Sequence, residues 1–380
     1  MSGGFLPYGR QEITEADIDA VTAALRSTML TQGPAVETFE HALAAKVGAK
    51  HAVAFSSGTA ALHGAAFAAG LGRGDESIVP SLTFVASANC ALYQGARPRL
   101  IDIDPETLNL DCEAAIRASG ESTRTVVPVS FAGLPVELSG LDPVRDRVIV
   151  IEDGCHALGG HRHGRPVGGP GGADMTCFSL HPVKAMTTGE GGVVTTEDDG
   201  LADRLRMFRT HGLVKQGVEP GPDEGGWYME MRELGFNYRI TDFQCALGIS
   251  QLERLDDSIG RRNEIAARYR ELLADEDRVL LPPAAAEGSL HGYHLFVIRV
   301  RAGGQTRLRV FEGLRAAGIG VQVHYIPIYR MPYYRDGLGY PQNECPATED
   351  YYDQAISLPI FPALADADLE RVVGELRGLL

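Results

Sequence analysis

The stretch MTCFSLHPVKAMTTGEGGVVTT, residues 175–196, begins and ends with short, β-rich apolar runs. Between the runs lies a Thr/Gly turn that contains Lys184. A run that is apolar on both faces is typical of a strand that helices cover on either side of a parallel sheet. The stretch therefore predicts two strands of a buried sheet, joined by a turn that carries a lysine.

Similar runs alternate with helical segments upstream of this stretch. Alternation of this kind over about 150 residues predicts an open α/β sheet with crossover helices. Together with the two runs above, the sheet has seven predicted strands, most of them parallel. The five upstream runs are HAVAF (51–55), SIVP (77–80), RLIDID (99–104), RTVVPVSF (124–131) and RVIVIED (147–153).

The regions on either side of the predicted sheet have different patterns. Thr14-Glu15-Ala16-Asp17 resembles a capping box that starts a helix, and a second helix fits 35–47. Residues 211–234 are rich in Gly and Pro and are predicted to form a long loop. We place a large domain, which contains the predicted sheet and the N-terminal helices, at 1–240, and a smaller α+β domain at 241–380. The predicted elements of the smaller domain are a long helix from Asp242 to about Leu273, strands at 294–300 and 319–325, and helices at 306–316, 346–356 and 365–379.

The composition is that of an ordinary globular protein. The 380 residues include 35 basic and 50 acidic side chains, and the net charge of −15 argues against nucleic acid as a partner. The six cysteines form no C-x-x-C pair, and no metal site is predicted. The N-terminus has no secretory pattern, and no stretch approaches about 20 uninterrupted apolar residues. We therefore expect a cytoplasmic protein without membrane segments.

Three features suggest chemistry, and each also has an ordinary structural explanation. At residues 56–59 (SSGT) a strand passes into a helix, so free N–H groups and the helix dipole favour phosphate, but a plain capped turn looks the same. Asp153 ends an apolar strand, where open α/β sheets bind ligands, or it caps a turn. Lys184 is one of only four lysines among the 35 basic residues. It is either a nucleophile with a lowered pKa or a solvated loop residue.

The three features have one explanation in common. A phosphate-binding turn, a strand-end aspartate and an imine-forming lysine are the three fixed points of a site for pyridoxal phosphate (PLP). In such a site the aspartate keeps the pyridine nitrogen protonated, so that the ring can accept electrons. The sequence therefore predicts an enzyme that uses PLP, with its cofactor in the large domain at 1–240.

Five motifs in and after these regions resemble the DegT/DnrJ/EryC1/StrS family of sugar-nucleotide aminotransferases. The resemblance covers nearly the whole chain. It implies the PLP-dependent transferase fold type I, which is the aspartate aminotransferase-like architecture, and a homodimer with shared active sites. The motifs are SSGTAAL, PSLTFVASAN, IEDGCHALG, FSLHPVKAMTTGEGG and GFNYRITDFQCALG.

The resemblance also implies a role for each residue that matches a family position. Lys184 would be the catalytic residue, which binds the cofactor as an imine and moves a proton. Asp153 would pair with the pyridine nitrogen, and Asn237 would reach the phosphate of the neighbouring subunit. The other implied cofactor contacts are the backbone N–H groups of Gly58 and Thr59 and the Ser179 hydroxyl at the phosphate, Phe84 on the ring face, and His156 near the ring hydroxyl.

Within the family, three segments look most like the aminotransferase of pseudaminic acid biosynthesis. This implies transfer of an amino group from L-glutamate to C4 of a UDP-linked 4-keto-6-deoxy-N-acetylhexosamine. The segments are LTQGPAVETFE (30–40), VHYIPIYRMPYYR (323–335) and AISLPIFPAL (355–364). The candidate contacts to the sugar or its diphosphate are Thr31, Gln32, Arg239, His324, Tyr325 and Arg330.

Four other functions remain open to such a chain. One is amination of another nucleotide-linked 4-keto or 3-keto sugar, such as a perosamine- or bacillosamine-type substrate. A sugar 3-dehydratase is disfavoured, because such relatives replace the active lysine with histidine and Lys184 is present. A PLP-binding regulator without turnover would not need lysine, aspartate and phosphate turn together. The fourth is another fold-type I activity, such as amino-acid transfer or cysteine desulfuration. Cysteine desulfuration is disfavoured because no cysteine lies in the clear context of a catalytic mobile loop.

Overall fold

A seven-stranded sheet lies at the centre of the computed structural model, which describes residues 4–215, 217–301 and 304–380. The strands are β1 His51–Phe55, β2 Glu76–Pro80, β3 Arg97–Ile101, β4 Thr123–Val126, β5 Ile149–Asp153, β6 Met175–Ser179 and β7 Gly192–Thr196. Their spatial order is β1-β7-β6-β5-β4-β2-β3. β7 runs antiparallel to both β1 and β6, and the other neighbours are parallel. The predicted fold class, a mostly parallel α/β sheet, is confirmed.

The strands lie within or beside their predicted runs, and β4 is the one that differs most. The predicted run continued to 131, but the strand ends at Val126. Pro128 has no N–H to donate to a ladder, and beyond it only a single bridge joins Val129 to Asp153. Because β1, β5 and β6 point the same way, their carboxyl ends meet at one edge of the sheet.

Helices pack on the sheet and form the two ends of the chain. α1 begins after Thr14, whose N–H donates to the Asp17 carboxylate at 2.8 Å. α2 ends at Gly48, whose φ of 77° lies in the left-handed region that favours glycine. The helices are α1 Glu15–Leu25, α2 Pro34–Val47, α3 Gly58–Ala68, α4 Ala86–Tyr93, α5 Cys112–Ala118, α6 Asp199–Arg209, α7 Asp242–Glu253, α8 Leu255–Leu272, α9 Gly304–Ala316, α10 Pro346–Gln354 and α11 Asp366–Leu379.

The single long helix predicted from Asp242 to Leu273 is wrong, because the chain leaves helical geometry at Arg254. There φ is −106° and ψ is 6°, and the helix is divided into α7 and α8. α7 packs against α1 and α2. α8 instead contributes Ile265 and Tyr269 to a core formed by the C-terminal region. The two halves therefore follow two different packing surfaces, which a helical periodicity cannot distinguish.

The C-terminal sheet has three antiparallel strands in the order β8-β9-β10, which are Val279–Leu280, Phe296–Val300 and Ala355–Leu358. The strand predicted at 319–325 is wrong, because that run makes only isolated bridges, such as Gln322 with Ser357. β10 takes the place beside β9 instead. The loop predicted at 211–234 also contains a short ribbon, in which Leu213–Val214 pairs with Glu230–Met231.

Separate apolar clusters lie on the seven-stranded sheet and in the C-terminal region. One cluster joins β1, β6 and α3, and another joins β9, β10 and α11. The domain boundary at 240/241 stays a prediction. None of the helices in the described part of the chain is long and apolar enough to cross a membrane.

Candidate active site

A cavity of about 510 Å³ opens where β1, β5 and β6 end. It brings together most of the residues that the sequence predicted for a cofactor, although they come from distant parts of the chain. The predicted residues that line it are Gly58, Thr59, Phe84, Asp153, His156, Ser179, Lys184, His324 and Tyr325. The topology explains this, since strands that run in the same direction present their last residues at one edge.

The phosphate turn lies between β1 and α3. Ser57 is the N-cap of α3, and its hydroxyl accepts a hydrogen bond from the Ala60 N–H at 3.1 Å. The first N–H groups of α3 therefore lie on the side of the cavity. The first turn of α3 contains no acidic residue that would repel an anion there. A Cβ on Gly58 would lie 2.8 Å from Ser179 Cβ. The close approach of these two residues forms a small anion cradle that only glycine permits.

Asp153 is the last residue of β5 and is buried. Its Oδ2 accepts a hydrogen bond from the Ser87 hydroxyl at 2.6 Å, and its Oδ1 accepts one from the Cys155 N–H at 3.1 Å. Within residues 4–215, 217–301 and 304–380, no basic side chain pairs with it. A buried carboxylate without a cation needs one from a bound group, and a protonated pyridine nitrogen supplies it.

Lys184 lies in the turn between β6 and β7 and lines the same cavity. Burial lowers its pKa below the ordinary value, while the nearby Cys155 and Asp153 act in the opposite direction. A lowered pKa increases the neutral fraction of the amine, which is the form that attacks a carbonyl. The other lysines with a described ion pair, Lys46 and Lys50, bind Asp256 and Asp199 instead.

Four histidines line the cavity, and burial lowers the pKa of three of them, His156, His294 and His324. His156 Nδ1 accepts a hydrogen bond from the Ala132 N–H at 3.2 Å. Its Nε2 therefore carries the proton and donates to the Tyr325 hydroxyl oxygen at 3.2 Å. Burial also raises the pKa of Tyr325, which keeps its hydroxyl protonated. The Tyr325 proton is consequently free to point at a group in the cavity.

Several residues that line the cavity were not among the predicted site residues, and two of them, Tyr8 and His294, come from segments distant from the three predicted features. His294 begins the strand-like run HLFVIRV, and the histidine in front of an apolar strand was the only signal. Its ring centroid lies 4.4 Å from that of His156, and its Nδ1 is buried without a hydrogen-bond partner in the described part of the chain. Tyr8 comes from the N-terminal segment, whose position no local pattern indicates.

The remaining predicted contacts lie away from the cavity lining of this chain. Thr31, Gln32 and Asn237 are exposed, and Arg239 is half-buried. Arg330 pairs with Glu349, so a diphosphate would have to compete with that carboxylate. The roles of these five residues stay predictions.

The residues present fit PLP on three observations. The α3 N-terminus at Gly58 offers N–H groups that suit an anion, Asp153 has no basic ion-pair partner among the described residues, and Lys184 offers an amine with a lowered pKa within the same cavity. When bound, PLP supplies an electron-accepting ring that stabilises negative charge at the carbon losing its proton. These features and the fold define a PLP-dependent aminotransferase of fold type I.

The chain belongs to the DegT/DnrJ/EryC1/StrS aminotransferase family, whose family model matches residues 11–377. The predicted family, enzyme class and cofactor are therefore confirmed. Among relatives, the spore coat polysaccharide biosynthesis protein SpsC of Bacillus subtilis (strain 168) is 39% identical over 381 residues. This match covers 99% of the present chain and 97% of SpsC.

Two solved structures are similar to this chain over nearly its whole length. Helicobacter pylori PseC, an aminotransferase involved in the biosynthesis of pseudoaminic acid, has a TM-score of 0.91 and 29% identity, with 99% of each chain covered. The PLP-form of Spr1654 from Streptococcus pneumoniae has a TM-score of 0.91 and 28% identity. That match covers 99% of this chain and 98% of Spr1654.

Mild acid should destabilise the protein through its buried imidazoles. Burial lowers the pKa of His63 and His324 to about 4 and that of His291 to about 3, from 6.5. Between pH 6.5 and these values the unfolded chain binds protons that the folded chain does not, so stability falls as the pH falls. Urea unfolding of the PLP-saturated protein at pH 7.5, 6.5 and 5.5 should show this loss.

Buried histidines and acidic residues change the stability of the protein in different pH ranges, so the unfolding measurements distinguish them. Carboxylates with a lowered pKa, such as Asp17 and Glu137, lose their contribution only below their ordinary values of 3.8 and 4.5. His63 lies outside the cavity, among Phe208 and Tyr238. The variant His63→Phe should therefore flatten the pH dependence, and an unchanged slope would contradict the assignment.

Proposed function

We propose that the enzyme transfers an amino group from L-glutamate to C4 of a UDP-linked 4-keto-6-deoxy-N-acetylhexosamine, the amination step of pseudaminic acid biosynthesis. The observation that carries this proposal is the position of His324 and Tyr325 on the wall that also holds Lys184. Both belong to the segment 323–335, which resembles the pseudaminic acid enzyme, and the whole-length similarity to PseC supports the same substrate.

In this proposal each of the main side chains around the cavity has a separate role in the reaction. Lys184 holds the cofactor in the resting enzyme and carries the proton in each half of the reaction. Asp153 keeps the ring nitrogen protonated, and the first N–H groups of α3 bind the phosphate. Tyr325 donates its hydroxyl proton into the cavity, because His156 already donates to the Tyr325 oxygen. The neutral imidazoles add no positive charge to the cavity, so the cations that an anionic substrate needs must come from other groups.

A second candidate is amination of another nucleotide-linked 4-keto or 3-keto sugar, including perosamine- and bacillosamine-type substrates. The relative SpsC favours it, because a protein at 39% identity is named for spore coat polysaccharide biosynthesis. Both candidates use the same cofactor chemistry and differ only in the sugar and the nucleotide.

Product analysis with a panel of nucleotide sugars distinguishes the candidates. The purified enzyme is incubated with L-glutamate and each of the UDP-, dTDP- and GDP-linked 4-keto-6-deoxy sugars, and the amino sugar is identified by mass and NMR. We expect the UDP-linked N-acetylhexosamine to be the preferred substrate, with the new amine at C4. Preference for a dTDP or GDP sugar, or amination at C3, would support the second candidate.

We also propose that two copies of the chain complete each other's active sites. Among the described residues that line the cavity, Lys184 is the sole lysine and there is no arginine, although a diphosphate and a dicarboxylate both need cations. The segment that ends at Asn237 and Arg239 exposes large apolar side chains, with Trp227 73%, Met231 62% and Leu234 74% exposed. A second copy that covers this segment would receive Asn237 and Arg239 at its cavity.

A mixed dimer tests the shared site directly. Lys184→Ala and Asn237→Ala subunits should each be poor enzymes alone. In a mixed dimer, one site combines Lys184 from one chain with Asn237 from the other, and the second site carries both defects. Random exchange makes about half of the dimers mixed, so roughly a quarter of full activity should return.

The complementation test requires verified subunit exchange and a clear defect in Asn237→Ala. Exchange after partial unfolding is followed by native mass spectrometry with differently tagged chains. If mixed dimers form and no activity returns, each site lies within one chain. The predicted cytoplasmic location is not tested by these experiments and stays a prediction.

A further inference from the structure

Two buried hydroxyl groups lead to the Asp153 carboxylate. The Ser87 hydroxyl lies 2.6 Å from Asp153 Oδ2, and the Thr83 hydroxyl lies 2.8 Å from Ser87 Oγ. Ser87 is 0% exposed and Thr83 2% exposed, so bulk water does not compete for either group. Neither residue belongs to the site predicted from the sequence or to a motif position with an implied role.

The direction of these hydrogen bonds follows from the number of protons. Ser87 has a single hydroxyl proton, and the carboxylate of Asp153 can only accept. Of its possible acceptors, Asp153 Oδ2 at 2.6 Å is closer than the Phe84 carbonyl at 3.2 Å, and the carboxylate is the charged one. The Thr83 hydroxyl must then donate to Ser87 Oγ. The chain runs from Thr83 through Ser87 to Asp153.

This chain of donors restricts how the Asp153 carboxylate can rotate. Ser87 holds Oδ2 while the Cys155 N–H holds Oδ1 at 3.1 Å, so both oxygens have a protein partner. Both partners are neutral, which leaves the negative charge available to a cation in the cavity. The segment that carries Thr83 and Ser87 also carries Phe84, which lines the same cavity. One short stretch therefore contacts the cofactor site and the carboxylate behind it.

We propose that Ser87, aligned by Thr83, is a positioning residue for the reaction. It holds the Asp153 carboxylate in the orientation in which it would keep the pyridine nitrogen of PLP protonated. Without the Ser87 hydroxyl, the carboxylate loses one charge-assisted hydrogen bond and turns more freely about its last side-chain bond. The ring nitrogen then spends less time protonated, although the phosphate cradle and Lys184 are unchanged.

The variant Ser87→Ala, loaded with PLP labelled with ¹⁵N in the ring, tests this directly. The ¹⁵N chemical shift reports the protonation of the ring nitrogen without any turnover. We expect the shift to move towards the unprotonated value. The half-reaction with the amino donor that the unaltered enzyme accepts should slow by about tenfold or more, because hydrogen bonds to charged groups are the strong ones. Cofactor affinity should change much less than this rate.

Three further variants separate positioning from a general loss of packing. Ser81→Ala removes an equally buried hydroxyl, which forms its hydrogen bond with the Thr348 hydroxyl at 2.7 Å rather than with Asp153. This variant should leave the ¹⁵N shift unchanged. Ser87→Thr restores a hydroxyl and should recover most of the shift and the rate. Thr83→Val keeps the shape but removes the upstream donor, and should give a smaller change in the same direction.

The outcomes that overturn the proposal are specific. If Ser87→Ala keeps the ¹⁵N shift and the rate of the unaltered enzyme, or if Ser81→Ala changes them equally, Ser87 has no positioning role. If Ser87→Ala does not fold, Thr83→Val still tests the proposal, and a ¹⁵N shift and a rate equal to those of the unaltered enzyme in Thr83→Val reject it. The measurement uses no sugar, so its failure leaves the proposed substrate untouched.

Discussion

Turnover should fall by at least about 1,000-fold when Lys184 is replaced by alanine, because in the proposed reaction this one residue supplies both the nucleophilic amine and the proton carrier. The variant should still bind PLP through the α3 N-terminus and Asp153, so we expect the PLP content to be largely kept while the activity is lost. The rate of a single turnover with the amino donor is measured, and the PLP content is determined by absorbance after denaturation. Lys50→Ala, which removes an exposed lysine paired with Asp199, is the matched control and should behave as the unaltered enzyme.

The scarcity of lysine makes the attachment point easy to map. After borohydride treatment, the cofactor should be fixed to Lys184, and a lysine-specific protease should no longer cleave there. The digest should then contain 51–215 in place of 51–184 and 185–215, because the lysines lie at 46, 50, 184 and 215. Label on Lys46, Lys50 or Lys215 would refute the assignment.

Replacing Asp153 with asparagine should slow both half-reactions together, by roughly 100-fold to 1,000-fold, by analogy with the loss of one pre-organised electrostatic contact. The amide keeps the shape of the carboxylate and can still accept from Ser87. It does not carry the charge that keeps the ring nitrogen protonated, so carbanion stabilisation weakens in either direction. Stopped-flow absorbance with amino donor and, separately, with keto acid measures the two halves.

The control for this prediction is Asp174→Asn. Asp174 accepts a hydrogen bond from the Val150 N–H at 2.7 Å just before β6, at the opposite end of that strand from the cavity. It should affect stability more than catalysis. A near-normal rate of Asp153→Asn in either half-reaction would mean that another group protonates the ring.

Local pattern was sufficient for the sheet and for the centre of the site. β1, β5, β6 and β7 are short, largely apolar runs bounded by turn residues, so their positions are local properties. Gly58, Asp153 and Lys184 follow such runs, and parallel strands bring their carboxyl ends to one edge. The joint appearance of these residue types was therefore enough to predict a common cavity, which the structure contains.

What the sequence did not show depends on tertiary contacts. The break at Arg254 separates two packing surfaces that have the same helical period, and β10 displaced the run at 319–325 from the small sheet. Tyr8 and His294 reach the cavity from distant segments without a local signal. Ser87 lies one residue into α4, where a small polar residue looks like any other in a helix.

The turn that carries Lys184 has a consequence for the timescale of the reaction. β6 and β7 pair Ser179 with Gly192, and the turn between them is closed by the Leu180 N–H to the Gly191 carbonyl at 2.9 Å. The Lys184 N–H also donates to the His181 carbonyl at 2.9 Å. With its backbone held, the amine moves by rotation of its own methylene groups, which takes picoseconds to nanoseconds rather than the microseconds to milliseconds of loop opening. We therefore expect the Lys184 amine, in its proposed role as proton carrier, to reach its positions without a step of backbone opening.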